Sequence, residues 1–465
     1  MSRRSARHRV PGRPPGRRAE SRRAGVETLR SVAAWVVERT LASRAPCDTL
    51  LASAASRFDD RDQRLLREVV LGTLRWLRRI DDVLERAGNR PLEEVQPELH
   101  AVLRVATFQL LFLDRVPAHA AVSEAVDEAL ARSHRGAASF VNAVLRRIAR
   151  DPHLGAWPVE AVDPVIRLAI ESSHPDVLVR RWIDRLGEAR TRALLGANNR
   201  PKPMHLLAFR DRGGRELLAE QLIDEGIEVE ASRISPLGLT VREGDPFATE
   251  AFARGELYVQ DEAGQVAALV PPPEPDERVL DVAAAPGGKG LALAAFEPSV
   301  RVVAADAAVD RVGRLVGNLR RLRRSGPVVL ADAAVSPFSD HFDRVVVDYP
   351  CTGTGTLRKH PELKWRWSPS ELRRLSDQAL RLIGGAARAV APGGLLIAIS
   401  CSLEPEENEL VVDRWLATAP GFERVEPVPP PTMQPLEAEV VGGAWQLGTA
   451  DEHDGFTVQV LRRVN

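Results

Sequence analysis

Val279-Leu280-Asp281-Val282-Ala283-Ala284-Ala285-Pro286-Gly287-Gly288-Lys289 decides the fold of the C-terminal half of this chain. Its first three residues read as a short strand. The small residues and paired glycines that follow read as a loop opening a helix, where a ligand can approach the backbone and the helix N-terminus favours a negative group. Two nucleotide loops compete for this reading and both fail. A Walker loop needs Gly six residues before its Lys and Ser or Thr after it, but those places hold Ala283 and Gly290, and no G-x-G-x-x-G pattern is present.

Working outward, Val302-Val303-Ala304, Val328-Val329-Leu330, Val345-Val346-Val347 and Leu395-Leu396-Ile397-Ala398-Ile399 are short apolar runs separated by helical stretches. Runs of this kind suit strands covered on both faces, so residues 271–465 are predicted to form a parallel, doubly wound α/β domain of Rossmann-like type. The triple proline Pro271–Pro273 marks its start, and Phe456-Thr457-Val458-Gln459-Val460 a last strand. Ligands of such sheets bind at the carboxyl ends of the strands. There the strands end on acids: Asp281, then Asp306 twenty-five residues on, then Asp332. Acids at successive strand ends without a phosphate loop suit a nucleoside that carries a carboxylate, the shape of S-adenosylmethionine. Its expected binding residues are Ala283, Ala284, Ala285, Pro286, Gly287, Gly288, Lys289, Asp306, Asp332 and Asp348. Taken singly, each Asp reads equally well as a helix N-cap.

The chain has three cysteines, and two of them, in Asp348-Tyr349-Pro350-Cys351 and Ser400-Cys401-Ser402, close predicted strands. A thiol in that position points into the ligand crevice and can act as a nucleophile. The alternative is a pair of small buried hydrophobes. Three cysteines form no disulfide framework and lack metal-ligand spacing, so no metal is expected.

The first 25 residues hold nine Arg and one acid, Glu20, and are expected to be a disordered basic tail able to lie along phosphates. Residues 26–150 repeat apolar side chains at three and four, from Val26, Leu29 and Ala33 to Val141, Val144, Leu145 and Ile148, and are predicted to be all-helical. A helical linker over 151–200 and a small α+β (RRM-like) segment over 201–270 follow. In the latter, strands are expected at Met204–Phe209, Ile227–Val229 and Leu239–Val241 around a helix Gly214–Glu225. With 465 residues, 44% hydrophobic and 28% charged, this is a globular multidomain composition. No run of eighteen apolar residues and no secretory signal is visible, so a cytoplasmic protein without membrane contact is expected, and a monomer. Only four lysines occur, Lys202, Lys289, Lys359 and Lys364.

Several of these segments together carry a family resemblance. Gln260-Asp261-Glu262-Ala263, the Ala283–Lys289 loop, Asp348-Tyr349-Pro350-Cys351-Thr352-Gly353-Thr354-Gly355, Arg358-Lys359-His360-Pro361-Glu362-Leu363-Lys364-Trp365 and Ser400-Cys401-Ser402-Leu403-Glu404-Pro405-Glu406-Glu407-Asn408 resemble the RsmB/Nop2/Sun RNA (cytosine-C5)-methyltransferases. Val116–Val126 and Phe140–Arg147 resemble the NusB family of RNA-binding helical domains. A NusB-like block in front of such a domain implies action on 16S ribosomal RNA, naked or partly assembled. The resemblance implies that Cys401 attacks cytosine and that Cys351 releases the product. Residue chemistry alone leaves the order of the two thiols open, because DNA cytosine methyltransferases place their nucleophile in Pro-Cys.

The chemistry stands beside the resemblance. C5 of cytosine is a poor nucleophile, so a thiolate must first add to C6, and an acid such as Asp348 must answer the charge that builds on N3. Arg358, Lys359 and Lys364 are expected at RNA phosphates, and Trp365 and Trp367 either stack on bases or pack. Tyr349 departs from the family pattern, where Ala is usual; it faintly suggests the Asp-Pro-Pro-Tyr of amino-methyltransferases, which have no use for paired thiols. Ala283 stands where Cys is frequent and Ser400 where Thr is common. A transfer-RNA methyltransferase and a non-catalytic ribosome assembly factor are the alternatives. Removing residues 1–25 is expected to lower RNA affinity mainly at low salt. An equal loss at high salt in a binding titration would instead mean specific contacts.

Overall fold

The computed structural model describes residues 28–464 apart from 44, 157, 158, 160, 162, 340, 431–437 and 450–452; the basic tail 1–25 lies outside the described residues. The chain divides into two compact units, one of residues 1–38, 51–70 and 83–155, the other of 39–50, 71–82 and 156–465.

The first unit is helical among its described residues. Helix Pro97–Phe112 has proline in its first turn, where the missing N–H has no partner to lose, and buries Leu99, Val102, Leu103, Val105, Ala106 and Phe108. Helix Ala118–Arg132 buries Ala121, Val122, Ala125 and Ala129, and helix Arg135–Arg150 buries Val141, Val144, Leu145 and Ile148. That is the three-and-four spacing read from the sequence. The His134 ring caps the last of these helices by accepting the Ala137 N–H. Residues 39–50 and 71–82, inside the stretch predicted to be helical, are grouped with the second unit.

In the second unit the stretch expected to be a helical linker forms helices Pro164–Ser172, Asp176–Leu186 and Glu188–Asn199. They do more than link. Trp182 is fully buried in a cluster with Leu178, Leu195, Leu357 and Trp367. A small antiparallel sheet follows, of β1 (Met204–Ala208), β2 (Glu228–Ala231), β3 (Gly238–Glu243) and β4 (Leu257–Val259), in the order β2-β3-β1-β4. Helix Gly214–Asp224 packs Leu218 and Leu222 against Leu206, Leu239 and Leu257. β4 was not predicted, as three residues are too few to show an alternation.

The large sheet holds β5 (Arg278–Asp281), β6 (Arg301–Asp306), β7 (Val328–Leu330), β8 (Phe342–Asp348) and β9 (Val390–Ser400), then β10 (Phe422–Val425), β11 (Ala438–Val441), β12 (Ala444–Leu447) and β13 (Phe456–Arg463). The order is β11-β12-β13-β9-β8-β5-β6-β7, with β10 also on β13. β5 to β9 are parallel, as predicted. The other four are antiparallel, so the sheet is mixed rather than wholly parallel. The sequence held a signal for one missed pair: Gly442 and Gly443, both with positive φ, form the two-residue turn between β11 and β12. Side chains alternate cleanly in the centre. Val346, Ile397 and Ile399 enter one core, Val345, Val347, Leu396 and Ala398 the other. Strand order reverses between β5 and β8, which opens a crevice at their carboxyl ends.

Helix Pro369–Ala387 covers one face and crosses the turn Ala333–Val335 at Gly385, where an added Cβ would lie 1.9 Å from the Ala333 carbonyl oxygen. A helical Gly→Ala change normally stabilises, by up to about 1 kcal/mol. Here the sign is expected to reverse: Gly385→Ala should cost about 1–3 kcal/mol through the forced backbone shift, read as a lower midpoint in thermal unfolding.

Candidate active site

β5 delivers the loop of Ala283 to Gly288. The loop continues the sheet briefly, with Val282 N–H donating to Val346 O (3.0 Å) and Ala284 N–H to Ala305 O (2.9 Å). It then turns sharply at Gly287, whose φ of 118° excludes side chains and whose N–H donates to Ala284 O. Helix Gly288–Phe296 starts there. Asp281 lies beneath, buried, with Oδ2 accepting the Gly290 N–H at 3.2 Å and Oδ1 without a partner. Burial, then the nearby Asp348 carboxylate, push its carboxyl up to about 7.

Lys289 projects from the first turn of that helix. Its Nζ donates to Asp348 Oδ2 at 2.7 Å and lies 4.9 Å from the centre of the Phe456 ring. Burial alone would lower its pKa, but Asp348, and more weakly Asp281 and Cys401, outweigh that and raise it. Sequence reasoning read Phe456 only as a strand residue; β13 brings its ring to the lysine.

The two thiols come together, Cys351 Sγ 3.4 Å from Cys401 Sγ, both half-buried. Their loops follow neighbouring strands, since Asp348 pairs with Ile399. Gly355 N–H donates to Cys401 O (2.9 Å) and Gly455 N–H to Gly355 O (2.8 Å), a contact so close that a Cβ on Gly355 would sit 2.5 Å from Gly455 O. The hydrogen bond to Cys401, then burial, raise the Cys351 pKa well above that of an ordinary thiol.

Asp306 is buried at the end of β6, its Oδ2 accepting from Arg311 (2.6 Å) and Ala285 N–H (3.3 Å), its Oδ1 from Ala308 N–H (3.1 Å). Asp332 is exposed two residues past β7 and caps a short turn, Oδ1 accepting Ala334 N–H at 2.9 Å. Asp281, Lys289, Asp348 and the thiols therefore form a tight group, with Asp306 against the loop and Asp332 on the rim.

Two of the expected phosphate contacts are corrected. Arg358 is buried and donates to Ala197 O at 2.8 Å, and Lys364 is fully buried, donating to Arg75 O, Ser173 O and Asn199 Oδ1 at 2.8–3.2 Å. Neither faces solvent, so they anchor the loop of 352–367 instead; Lys359 alone of the three is exposed. Trp367 is buried and Trp365 donates to Leu74 O (2.7 Å), which favours packing over stacking. Tyr349 is buried too, its hydroxyl donating to Glu407 O at 2.7 Å, a role in packing that needs no amino-methyltransferase chemistry.

A doubly wound sheet with a small-residue loop after its first strand, acids at the strand ends and no phosphate loop defines the Rossmann-like methyltransferases. The profile described as 16S rRNA methyltransferase RsmB/F matches residues 268–462, that of the NusB family 19–150, and a ferredoxin-like domain of RsmF/B-like methyltransferases 174–247. The probable ribosomal RNA small subunit methyltransferase B of Bacillus subtilis is 32% identical over 412 residues, 85% of this chain and 90% of that protein. The ribosomal RNA small subunit methyltransferase B of Pasteurella multocida is 31% identical over 94% of this chain and 96% of its own. A crystal structure of PH0851 superposes with a TM-score of 0.77 at 26% identity, covering 94% of this chain and 99% of that one. This chain belongs to the 16S rRNA methyltransferase RsmB/F family, and is an rRNA methyltransferase. No helix among the described residues is long and apolar enough to cross a membrane.

Asp281 supplies a test of the site's electrostatics. Its folded pKa of about 7 lies above the ordinary 3.8, so the folded state holds a proton that the unfolded state has lost between those values. Stability should therefore fall as pH rises from about 4 to about 7. Asp281→Asn, which can still accept from Gly290, is expected to unfold at a higher temperature than wild type at pH 8 and to lose that advantage at pH 4.

Proposed function

We propose that this enzyme methylates C5 of cytosine in 16S rRNA, with S-adenosylmethionine as methyl donor, through a covalent adduct between Cys401 and C6 of the base. The observation that carries the reading is the pair of thiols 3.4 Å apart beside the Lys289–Asp348 ion pair. A single methyl transfer to nitrogen or oxygen has no use for two such sulfurs.

The loop of Ala283 to Lys289 fits the cofactor on its own chemistry. Its small side chains leave the backbone approachable, and the unpartnered, buried Asp281 Oδ1 beneath suits a cationic amino group. We assign Asp306 to the ribose hydroxyls and Asp332, on the rim, to the base end. When bound, the cofactor supplies an electrophilic methyl group on a sulfonium.

In the proposed sequence Cys401 Sγ bonds to C6 as a thiolate, and the C5–C6 π pair moves through C4 to N3, which takes a proton. Asp348, steadied by Lys289, is the group assigned to N3; it supports that proton or hydrogen bond where charge builds. C5, now part of an enamine, becomes nucleophilic enough to be methylated. Its proton then leaves to a base, the C5–H pair restores the C5–C6 double bond, N3 gives back its proton, and the C6–S bond breaks with its pair on Cys401. Cys351, a thiol held protonated by its neighbours, donates toward the departing sulfur. The base must leave its stack to reach the sulfurs, which favours a loop or flexible RNA as substrate, naked or partly assembled, in the cytoplasm. The exposed Lys359 is available to an RNA phosphate.

The test incubates wild type, Cys351→Ser and Cys401→Ser with methyl-labelled S-adenosylmethionine and protein-free 16S rRNA. Wild type is expected to place label at C5 of cytosine, Cys401→Ser to be inert and free of RNA adduct, and Cys351→Ser to accumulate protein covalently bound to RNA. The reverse pattern exchanges the two thiols. Label in transfer RNA but not in 16S rRNA would move the substrate, and label on neither would sink the proposal.

A further inference from the structure

Six and seven residues past Cys401 lie Glu407 and Asn408, a fully buried acid and a buried amide that the mechanism above does not use. Asn408 grips Cys401 from both sides: Oδ1 accepts from Ser400 Oγ at 2.6 Å, and Nδ2 donates to Ser402 O at 3.0 Å. Its backbone carbonyl accepts from Gln459 Nε2 (2.8 Å), itself fully buried in β13. Glu407 grips the other thiol loop. Oε1 accepts the Thr352 N–H at 2.8 Å, Oε2 accepts Thr352 Oγ at 2.6 Å, and the backbone carbonyl accepts the Tyr349 hydroxyl at 2.7 Å. The turn carrying both residues is fixed in its own right. Ser376 Oγ donates to Glu406 O (2.6 Å), and buried Glu404 accepts from Trp182 Nε1 (2.9 Å) and from Arg181 and Arg185.

Two adjacent residues thus hold residues 349, 352, 400 and 402, which bracket both cysteines. Two thiols left to themselves have no reason to stay in contact, because a sulfur–sulfur hydrogen bond is weak. We propose that Glu407 and Asn408 are positioning residues, a single brace that sets the distance between Cys351 and Cys401 so that the one can act on the sulfur of the other. Tyr349, unusual for the family at this place, is a member of the brace through its hydroxyl. The inference rests on the two-thiol reading above, and its test has one arm that needs no catalysis.

That arm uses phenylarsine oxide, which condenses with two neighbouring thiols to a cyclic dithioarsinite and one water, and with which Cys47 alone cannot compete. Capture is followed by intact mass on wild type, Asn408→Ala, Glu407→Ala, Glu407→Gln and Tyr349→Phe, alongside single-turnover methylation of 16S rRNA, the KM for cofactor and thermal unfolding. Asn408→Ala, which frees the attacking thiol's loop, is expected to slow capture and methyl transfer at least about tenfold with the KM for cofactor unchanged, since a displacement near 1 Å suffices for such losses; Glu407→Ala, which frees the releasing thiol's loop, is expected to slow capture and release as much and to raise the RNA-bound fraction. Glu407→Gln, which keeps an oxygen for the Thr352 N–H, should recover most of both. If either alanine variant fails to fold, Tyr349→Phe decides, since it removes only a hydroxyl and should slow release and raise the RNA-bound fraction.

Capture at the wild-type rate in Asn408→Ala and Tyr349→Phe would overturn the brace, as would loss of turnover only in step with loss of fold. Brace variants that lose capture in a protein that does not methylate 16S rRNA would leave the brace standing and remove the proposed function. Undiminished capture in a protein that does methylate would do the opposite.

Discussion

The register of β8 between β5 and β9 is the constraint on which the rest of the site depends. Val346 lies opposite Asp281, and Ile399 opposite Asp348, so three parallel strands finish within a few residues of one another at one edge. A slip of one residue would exchange the faces of Val345, Val346 and Val347 and take Asp348 away from Lys289. Each of these fully buried valines contributes roughly 1.5–3 kcal/mol when removed from water, and in a sheet covered on both faces every one of them resists the slip. Packing far from the chemistry therefore fixes where the ion pair and the thiol loops begin.

Polar groups finish what the register starts, at some cost in stability. Burying an isolated charge costs several kcal/mol, and the second unit buries many ionisable side chains: Asp281, Lys289, Arg358, Lys364, Glu404 and Glu407. Most are well partnered. Glu404 has Arg181, Arg185 and Trp182, Glu407 has both donors of Thr352, and Lys364 has three oxygens although burial pulls its pKa far down. Hydrophobic side chains of equal volume would often serve stability as well. Directed hydrogen bonds supply what hydrophobic side chains cannot, a fixed path for the loop backbones that carry Cys351 and Cys401.

This division explains what was legible in the sequence. The central strands showed because they are buried on both faces and so read as unbroken apolar runs, and the loop at Ala283–Lys289 showed because only small residues tolerate its turn. β10, β11 and β12 escaped because they are four residues each and β11 is mostly exposed, leaving no run to see. Arg358 and Lys364 misled for a related reason: sequence displays a charge but not its burial, and both ammonium and guanidinium groups were read as facing RNA. The helices of 164–199 looked like a linker because the partners of Trp182 lie 175 to 222 residues further on, at Leu357, Trp367 and Glu404. The two thiols were found by position alone, whereas their order was not.

The neighbours supply an argument about that order. Two thiolates 3.4 Å apart would repel strongly, so the pair carries at most one negative charge near neutral pH. Glu407, whose carboxyl burial pushes up to about 7, stands on the Cys351 side and opposes charge there once it ionises. Lys289 stands on the other side, where Cys401 is among the groups that favour its positive charge. In the proposed mechanism the thiol that keeps its proton is then Cys351, which its neighbours push up. An attacking thiolate and a protonated thiol beside it are what addition and release respectively require, so one proton shared by two sulfurs lets the same contact serve both ends of the reaction.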